Sequence, residues 1–218
     1  SGGGGGGGTV GGGGGTVGGG GNSAGAVTEP SKENENLNKN VFTDMENVEW
    51  AKDSVMSLYN LGIINGKAEG IFAPMDNVTR EEFLKMLIEA FSEVSMSATA
   101  DFEDVSKDDW SYPYIATGVE LGIVKGESET VFGIGENITR EQMAVLSARM
   151  LEKNGIKIGT NKIEFSDNDI ISDYAKEAVG TLAGASIING VGNGMFAPLD
   201  FATRAESAVI INRMLKLK

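Results

Sequence analysis

The sequence predicts a mainly α fold, three helix-loop-helix units in tandem behind a flexible glycine-rich segment. Three observations predict it. The stretch Thr79-Arg80-Glu81-Glu82 recurs as Thr139-Arg140-Glu141-Gln142 and Thr203-Arg204-Ala205-Glu206, each time directly before an apolar run ending at Phe91, Leu151 or Leu215. Flanking landmarks recur in the same order around each copy. Residues 1–21 contain 16 glycines and form a segment of a different character from everything after it.

Taken in order, the glycine-rich start is a linker. Such a chain cannot bury enough apolar surface to offset the entropy of ordering, and about 20 residues of it span roughly 25 Å root-mean-square. From Asn22 to Asn40 the composition turns polar, with Pro30 and Lys32-Glu33-Asn34-Glu35-Asn36, so the linker is assigned to residues 1–40 and the folded part begins near Val41. A chain that starts at Ser1 is expected to be a fragment, fused to an upstream protein that is missing here.

Three units follow, assigned to residues 41–92, 101–152 and 164–217. Phe42-Thr43-Asp44, Phe102-Glu103-Asp104 and Phe165-Ser166-Asp167 open them, at offsets of 60 and 63 residues. Trp50-Ala51, Trp110-Ser111 and Tyr174-Ala175 come next, then Leu61-Gly62-Ile63-Ile64-Asn65-Gly66 and its counterparts ending at Gly126 and Gly190. Gly70-Ile71-Phe72, Thr130-Val131-Phe132 and Gly194-Met195-Phe196 each stand seven residues, Phe to Thr, before the Thr-Arg pair. Spacing this regular marks homologous repeats.

Within the first unit, Trp50, Val55, Leu58 and Leu61 recur at helical intervals and are expected on one core-facing stripe, which Gly62 terminates. Ile63, Ile64 and Phe72 are apolar residues of the following loop, so the loop packs down. Gly66, Gly126 and Gly190 in it supply positive φ or let backbone approach closely. The second helix carries Phe83, Leu84, Leu87 and Phe91. A unit of about 50 residues has too little core to be reliably stable alone and needs its neighbours.

Each Thr-Arg stretch is a helix start. Threonine followed three residues later by Glu or Gln is a capping box, and Val78 with Phe83 or Ile138 with Met143 adds a hydrophobic staple that Ala202 with Ser207 barely provides. The arginines are not explained by capping, because a cation in the first turn faces the positive end of the helix dipole at a cost of about 0.3–1 kcal/mol when exposed. Arg80, Arg140 and Arg204 break that rule in register. A guanidinium beside the free N–H groups of a helix start makes an anion site, so these arginines either hold an anionic ligand or stand solvated or paired with a nearby carboxylate, and in either case are expected to make no core contact.

Composition narrows the function. The 218 residues carry net charge −13, with 18 Lys and Arg against 31 acids, which argues against nucleic-acid binding. An anionic ligand must therefore be held locally. Cysteine and histidine are absent, so there is no disulfide, thiolate metal site or imidazole chemistry, and neither metal nor cofactor is implied. No apolar run approaches the roughly 20 residues that would insert in a membrane.

Phe-Xaa-Asp, an acid before Trp-Ala, Leu-Gly-Ile-Ile-Xaa-Gly, Gly-Xaa-Phe-Xaa-Pro and Thr-Arg-Glu-Glu, in this order and spacing, resemble the S-layer homology (SLH) family over about residues 41–217. The resemblance implies three repeats in a pseudo-threefold arrangement around a central helix bundle. It also implies a secreted protein at the bacterial cell wall or S-layer surface, anchored non-covalently by pyruvylated secondary cell-wall polysaccharide in inter-repeat grooves, and no catalytic residues. Carried onto this sequence, it makes Arg80, Arg140 and Arg204 the carboxylate-binding cations. Glu49, Asp109 and Asp173 match the acidic position that can accept sugar hydroxyls, and Trp50, Trp110 and Tyr174 can pack on a sugar face or in the core. Gly66, Gly126 and Gly190 match a loop glycine near the groove.

Departures make the repeats unequal. Gly118 stands where the others have Leu58 and Leu182, and Ile134 where they have Pro74 and Pro198. Ser186 replaces the glycine of the Leu-Gly-Ile step, and Glu89 stands where the others carry Arg149 and Arg213, so a groove that relies on that cation is impaired in the first repeat. Two other readings compete with this one. Asp167-Asn168-Asp169 with Asp173 suggests a calcium-dependent interaction module, but an EF-hand-like loop needs a Glu at its twelfth position, here Ala178. A carbohydrate-active enzyme fragment would use a carboxylate pair, and no pair is set apart by an apolar signature.

Overall fold

The computed structural model describes residues 41–218; the linker assigned to residues 1–40 lies outside the described residues. Six helices follow a short 3-10 turn at Glu46–Val48. They are α1 (Glu49–Asn60), α2 (Arg80–Phe91), α3 (Tyr112–Glu120), α4 (Arg140–Lys153), α5 (Asp173–Gly184) and α6 (Arg204–Leu215). The described residues hold only isolated β-bridges and no sheet, so the fold is mainly α.

The second helices form the centre, α2, α4 and α6 each touching the other two. Each first helix packs not on its own partner but on the second helix of the preceding unit: α3 on α2, α5 on α4, and α1 back on α6. The three units thus exchange helices in a closed ring. In α1, Val55 and Leu58 are fully buried as expected, whereas Trp50 and Leu61 are 58% and 62% exposed. The five-residue step from Trp50 to Val55 turns the side chain by about 140° on a helix of 3.6 residues per turn, which takes the indole off the core stripe.

The ring also closes through the backbone ahead of the second helices. Val78 N–H donates to Ala202 O at 3.0 Å, Ala202 N–H to Ile138 O at 2.9 Å, and Ile138 N–H to Val78 O at 2.9 Å. All three side chains are fully buried. The three Thr residues cap their helices with both halves of the box in place, the third included, because Ala202 is fixed by this ring instead of by a staple.

The Phe-Xaa-Asp motif pins the loop. Asp44 accepts the N–H groups of Phe72 and Ala73 at 3.0 and 2.7 Å. Asp104 does so for Phe132, Gly133 and Ile134, and Asp167 for Phe196 and Ala197. The paired rings pack against each other at a tilt, Phe42 and Phe72 at 5.3 Å, Phe102 and Phe132 at 5.8 Å and Phe165 and Phe196 at 5.3 Å. Close approach is what the loop glycines provide: a Cβ at Gly66, Gly126 or Gly190 would lie 2.6, 2.5 or 2.3 Å from a backbone oxygen.

Gly118 solves a packing problem between units. A Cβ there would meet Val124 at 2.8 Å and Leu84 of α2 at 3.1 Å. Leu84 fills the space that a larger residue in α3 would occupy. At the equivalent positions of the other two junctions the sizes are exchanged, with Leu58 and Leu182 in the first helices and Ala208 and Ala144 in the second helices.

Candidate functional site

The three arginines leave their helix starts and reach into the next unit. Arg80 Nε donates to Phe132 O at 2.9 Å, Arg140 Nε to Phe196 O at 2.8 Å and Arg204 Nε to Phe72 O at 2.9 Å. Each guanidinium also lies over the ring of the same phenylalanine, at 5.1, 4.9 and 4.6 Å, a cation–π contact. Arg140 Nη2 and Arg204 Nη2 donate to the loop carbonyls of Asn189 and Asn65, both at 2.9 Å. Arg80 and Arg140 are 7% and 5% exposed, so the expectation that these side chains make no core contact is corrected. A long, weakly hydrated guanidinium with several donors can serve as a joint between units and keep free N–H groups for a ligand.

Beside each arginine opens a groove built from all three units. The Arg80 groove, 610 Å³, has Lys125, Gly126 and Arg149 of the second unit on its walls and Tyr174 of the third. The Arg140 groove, 450 Å³, is lined by Asn189, Gly190 and Arg213 of the third unit and Trp50 of the first. The Arg204 groove, 250 Å³, takes Asn65 and Lys85 from the first unit and Trp110 from the second. The aromatic residues are exposed there, Trp50 at 58% and Trp110 and Tyr174 each at 56%.

Charge is arranged against the chain's overall sign. Arg80, Lys125 and Arg149 face Glu127 in the first groove; Arg140 and Arg213 face Glu206 in the second; Arg204 and Lys85 face Glu82 in the third. Every groove therefore has more cations than acids in a protein of net charge −13. Burial pulls the guanidinium groups of Arg149 and Arg204 down from their ordinary values, the behaviour of cations held partly out of water. Glu127 pairs with Arg80 at 3.5 Å, and Glu206 forms an ion pair with Arg140. Burial of the phenol, with its hydrogen bond to Glu141 at 3.0 Å, pushes the Tyr174 hydroxyl up to about 12, so it stays protonated and fixed.

Arg149 and Arg213 also brace their loops, donating to Ile123 O at 2.9 Å and Ile187 O at 3.1 Å. Glu89, in their place in α2, accepts from Lys85 at 2.6 Å and from Tyr114 at 2.9 Å. The Arg204 groove thus loses a cation and has its remaining lysine partnered.

The expected acids sit elsewhere. Glu49 pairs with Lys52 at 3.2 Å, Asp173 with Lys176 at 2.7 Å, and Asp109 accepts the Ser106 N–H at 3.1 Å; none of them lines one of these grooves. Gly66 sits one residue behind the wall residue Asn65. Lys125 and Lys85 are groove cations that the repeat landmarks did not single out; the signal for Lys125 was a cation directly before the repeated loop glycine. In the Asp167-Asn168-Asp169 cluster both oxygens of Asp167 are engaged by backbone N–H groups, and no cluster of three or more candidate metal ligands occurs among the described residues.

The S-layer homology domain matches three tandem segments of this sequence, residues 41–84, 101–144 and 164–208. The chain belongs to the S-layer homology family. These SLH repeats are similar to part of an endoglucanase of a Bacillus sp., 32% identical over 80% of this chain and 18% of that protein. They also resemble the surface-layer 125 kDa protein of Lysinibacillus sphaericus, 30% identical over 77% of this chain and 14% of that protein. A cellulosome-anchoring protein of Acetivibrio thermocellus is 29% identical over 70% of this chain and 35% of its own length. The chain thus spans a minor part of each relative, and the part shared by an enzyme, a surface-layer protein and an anchoring protein is the SLH repeats. They make this chain a cell-surface anchoring module associated with the cell wall.

Proposed function

We propose that the three grooves bind a carboxylate-bearing secondary cell-wall polysaccharide, the pyruvylated glycan of the bacterial wall, and so hold a larger secreted polypeptide at the surface. The observation that carries this reading is the pairing in each groove of a partly desolvated arginine with an exposed aromatic ring from another repeat. A guanidinium with free N–H groups recognises a carboxylate by charge-assisted, bidentate hydrogen bonds, and the ring offers a flat apolar face to a sugar. The local cationic surplus sits in an acidic protein that has little attraction for polyanions in general. Glu49, Asp109 and Asp173 serve in this reading as outlying acceptors of sugar hydroxyls, and Gly66, Gly126 and Gly190 as the backbone that brings the loop to the groove edge. The Arg204 groove is the weakest of the three, because Glu89 replaces its second arginine.

The test is a sedimentation assay with purified wall sacculi before and after chemical removal of the pyruvate and then of the polymer. Binding is expected to fall at the first step and to vanish at the second. Equal binding to bare peptidoglycan would overturn the polysaccharide reading.

A further inference from the structure

The Arg80 groove does not end at Tyr174. A second cavity of 590 Å³ lies beyond it, and the two share Val145, Arg149 and Tyr174 as a common wall. Its other walls are α4, α5 and the connector over residues 154–163, contributing Ala148, Ile156, Ile158 and Ala178. Of its further polar groups, Glu152, Lys157 and Glu177 are exposed side chains at the rim, and the Thr181 hydroxyl is buried in the wall.

The chain contains its own control, the junction between the first and second units. There the position of Ala178 holds Tyr114, and that of Ala148 holds Ile88. Tyr114 reaches Glu89 and has Lys85 over its ring, so a large side chain occupies that position. The connector is drawn onto α3 as Ser95 N–H donates to Thr117 Oγ1 at 2.9 Å. At the second junction the equivalent Thr181 hydroxyl is buried in the cavity wall without a partner. The connector is nevertheless held. A Cβ at Gly184 would lie 1.8 Å from Asn161 O, and Ile163 N–H donates to Gly180 O at 3.1 Å. Two large-to-small differences and a pinned connector leave a compartment where the first junction has Tyr114 and Ile88.

We propose that the Arg80 groove is a two-compartment site, with the anionic sugar in the cationic half and the adjoining sugar of the same chain, carrying a small acyl substituent, in the compartment beyond Tyr174. This inference rests on the glycan reading above and deepens it. Continuity across Tyr174 and Arg149 makes the neighbouring sugar the natural occupant. The aliphatic walls set its chemistry: bare hydroxyls facing Ala148, Ile156, Ile158 and Ala178 would lose their water without replacement, whereas the methyl of an acyl group fits there and leaves the ring hydroxyls toward the polar rim. The site therefore reads along the polymer.

The test is methyl NMR on the whole chain, with Val124 reporting on the cationic half and Ile156 and Ile158 on the compartment. Three probes are titrated: a pyruvylated monosaccharide, its disaccharide with a neighbouring N-acetylhexosamine, and the same disaccharide with an unacylated hexose. The monosaccharide is expected to shift Val124 alone. The acylated disaccharide should also shift Ile156 and Ile158 and bind about tenfold tighter, and the unacylated one should lack that gain. Ala178→Tyr, which restores the residue of the first junction, should abolish the gain and keep the Val124 response. Ala148→Ile serves the same purpose should Ala178→Tyr lose its dispersed spectrum. Unmoved Ile156 and Ile158 beside a responding Val124 would overturn the second compartment and leave the glycan reading standing. Equal gains from both disaccharides would overturn the acyl assignment, and a silent Val124 with all probes would overturn both readings.

Discussion

Arg204 Nε donates to the carbonyl oxygen of Phe72 at 2.9 Å across 132 positions of sequence, with its guanidinium carbon 4.6 Å from the centre of the same ring. This contact joins the last unit to the first. Its two counterparts join first to second and second to third, so the residue type expected to hold the ligand also holds the ring together.

Replacing a joint should therefore cost stability. Arg140→Ala leaves the carbonyls of Phe196 and Asn189 and the carboxylate of Glu206 without their partner, a loss of about 2–4 kcal/mol. Arg140→Lys keeps the charge without the Nε contact and should recover less than half. Chemical denaturation measures both, and an unchanged Arg140→Ala midpoint would show that the guanidinium is a bystander to folding.

Gly118 and Leu84 should behave as one unit. Leu84→Ala opens a cavity at a fully buried site and is expected to cost about 2–5 kcal/mol. Gly118→Leu overpacks the same interface by about 1–3 kcal/mol. The double variant reproduces the Leu/Ala arrangement of the other junctions and should be more stable than either single change. A double-mutant cycle with no coupling would sink the exchange of sizes.

Ser186 has φ 58°, where its counterparts are Gly62 at 74° and Gly122 at 75°. A side chain in the left-handed region costs about 1–2 kcal/mol, partly offset because glycine gains unfolded-state entropy. Ser186→Gly should raise stability by about 0.5–1 kcal/mol, read as a shift of the denaturation midpoint at constant slope.

The loop aspartates make the fold acid-sensitive. Burial pushes the carboxyls of Asp104 and Asp167 upward, but together the backbone N–H bonds they accept outweigh it, and both lie below the ordinary carboxylate value. A group depressed in the folded state stabilises it above the unfolded value near 3.9, and that stability is lost as pH falls through the folded value. The thermal midpoint should drop below about pH 4. Asp104→Asn should lower the midpoint at neutral pH and flatten part of that acid slope, and an identical slope in the variant would contradict the assignment.

The exchange of helices means that one unit cut from the chain loses its partner at both ends. Residues 101–152 carry α3 without α2 and α4 without α5. Such a fragment is expected to give a poorly dispersed spectrum and no cooperative melting, and a sharp transition would be evidence for independent units.

Much of this molecule was legible in its sequence. The Thr-Xaa-Xaa-Glu/Gln boxes mark three helix starts that the structure forms without exception, because capping is a local interaction within four residues. The repeated landmarks gave the number of units, and the bare arginine at each start flagged the residue around which each groove is built. Trp50 was misread as core, since a stripe with one five-residue step looks regular in sequence and is not regular in angle.

What only the tertiary structure decided is which unit touches which. Phe-Xaa-Asp reads as a repeated landmark, yet its aspartate acts 28 to 30 residues away on loop N–H groups. Whether an arginine reaches ligand, solvent or the next repeat depends on the position of a phenylalanine 52, 56 or 132 residues distant. The size exchange at Gly118 and the compartment left by Ala178 are equally non-local. Local hydrogen bonding and periodicity are written residue by residue, so the sequence alone determined the helices and their starts; the grooves lie between segments far apart in the chain, where only packing brings the parts together.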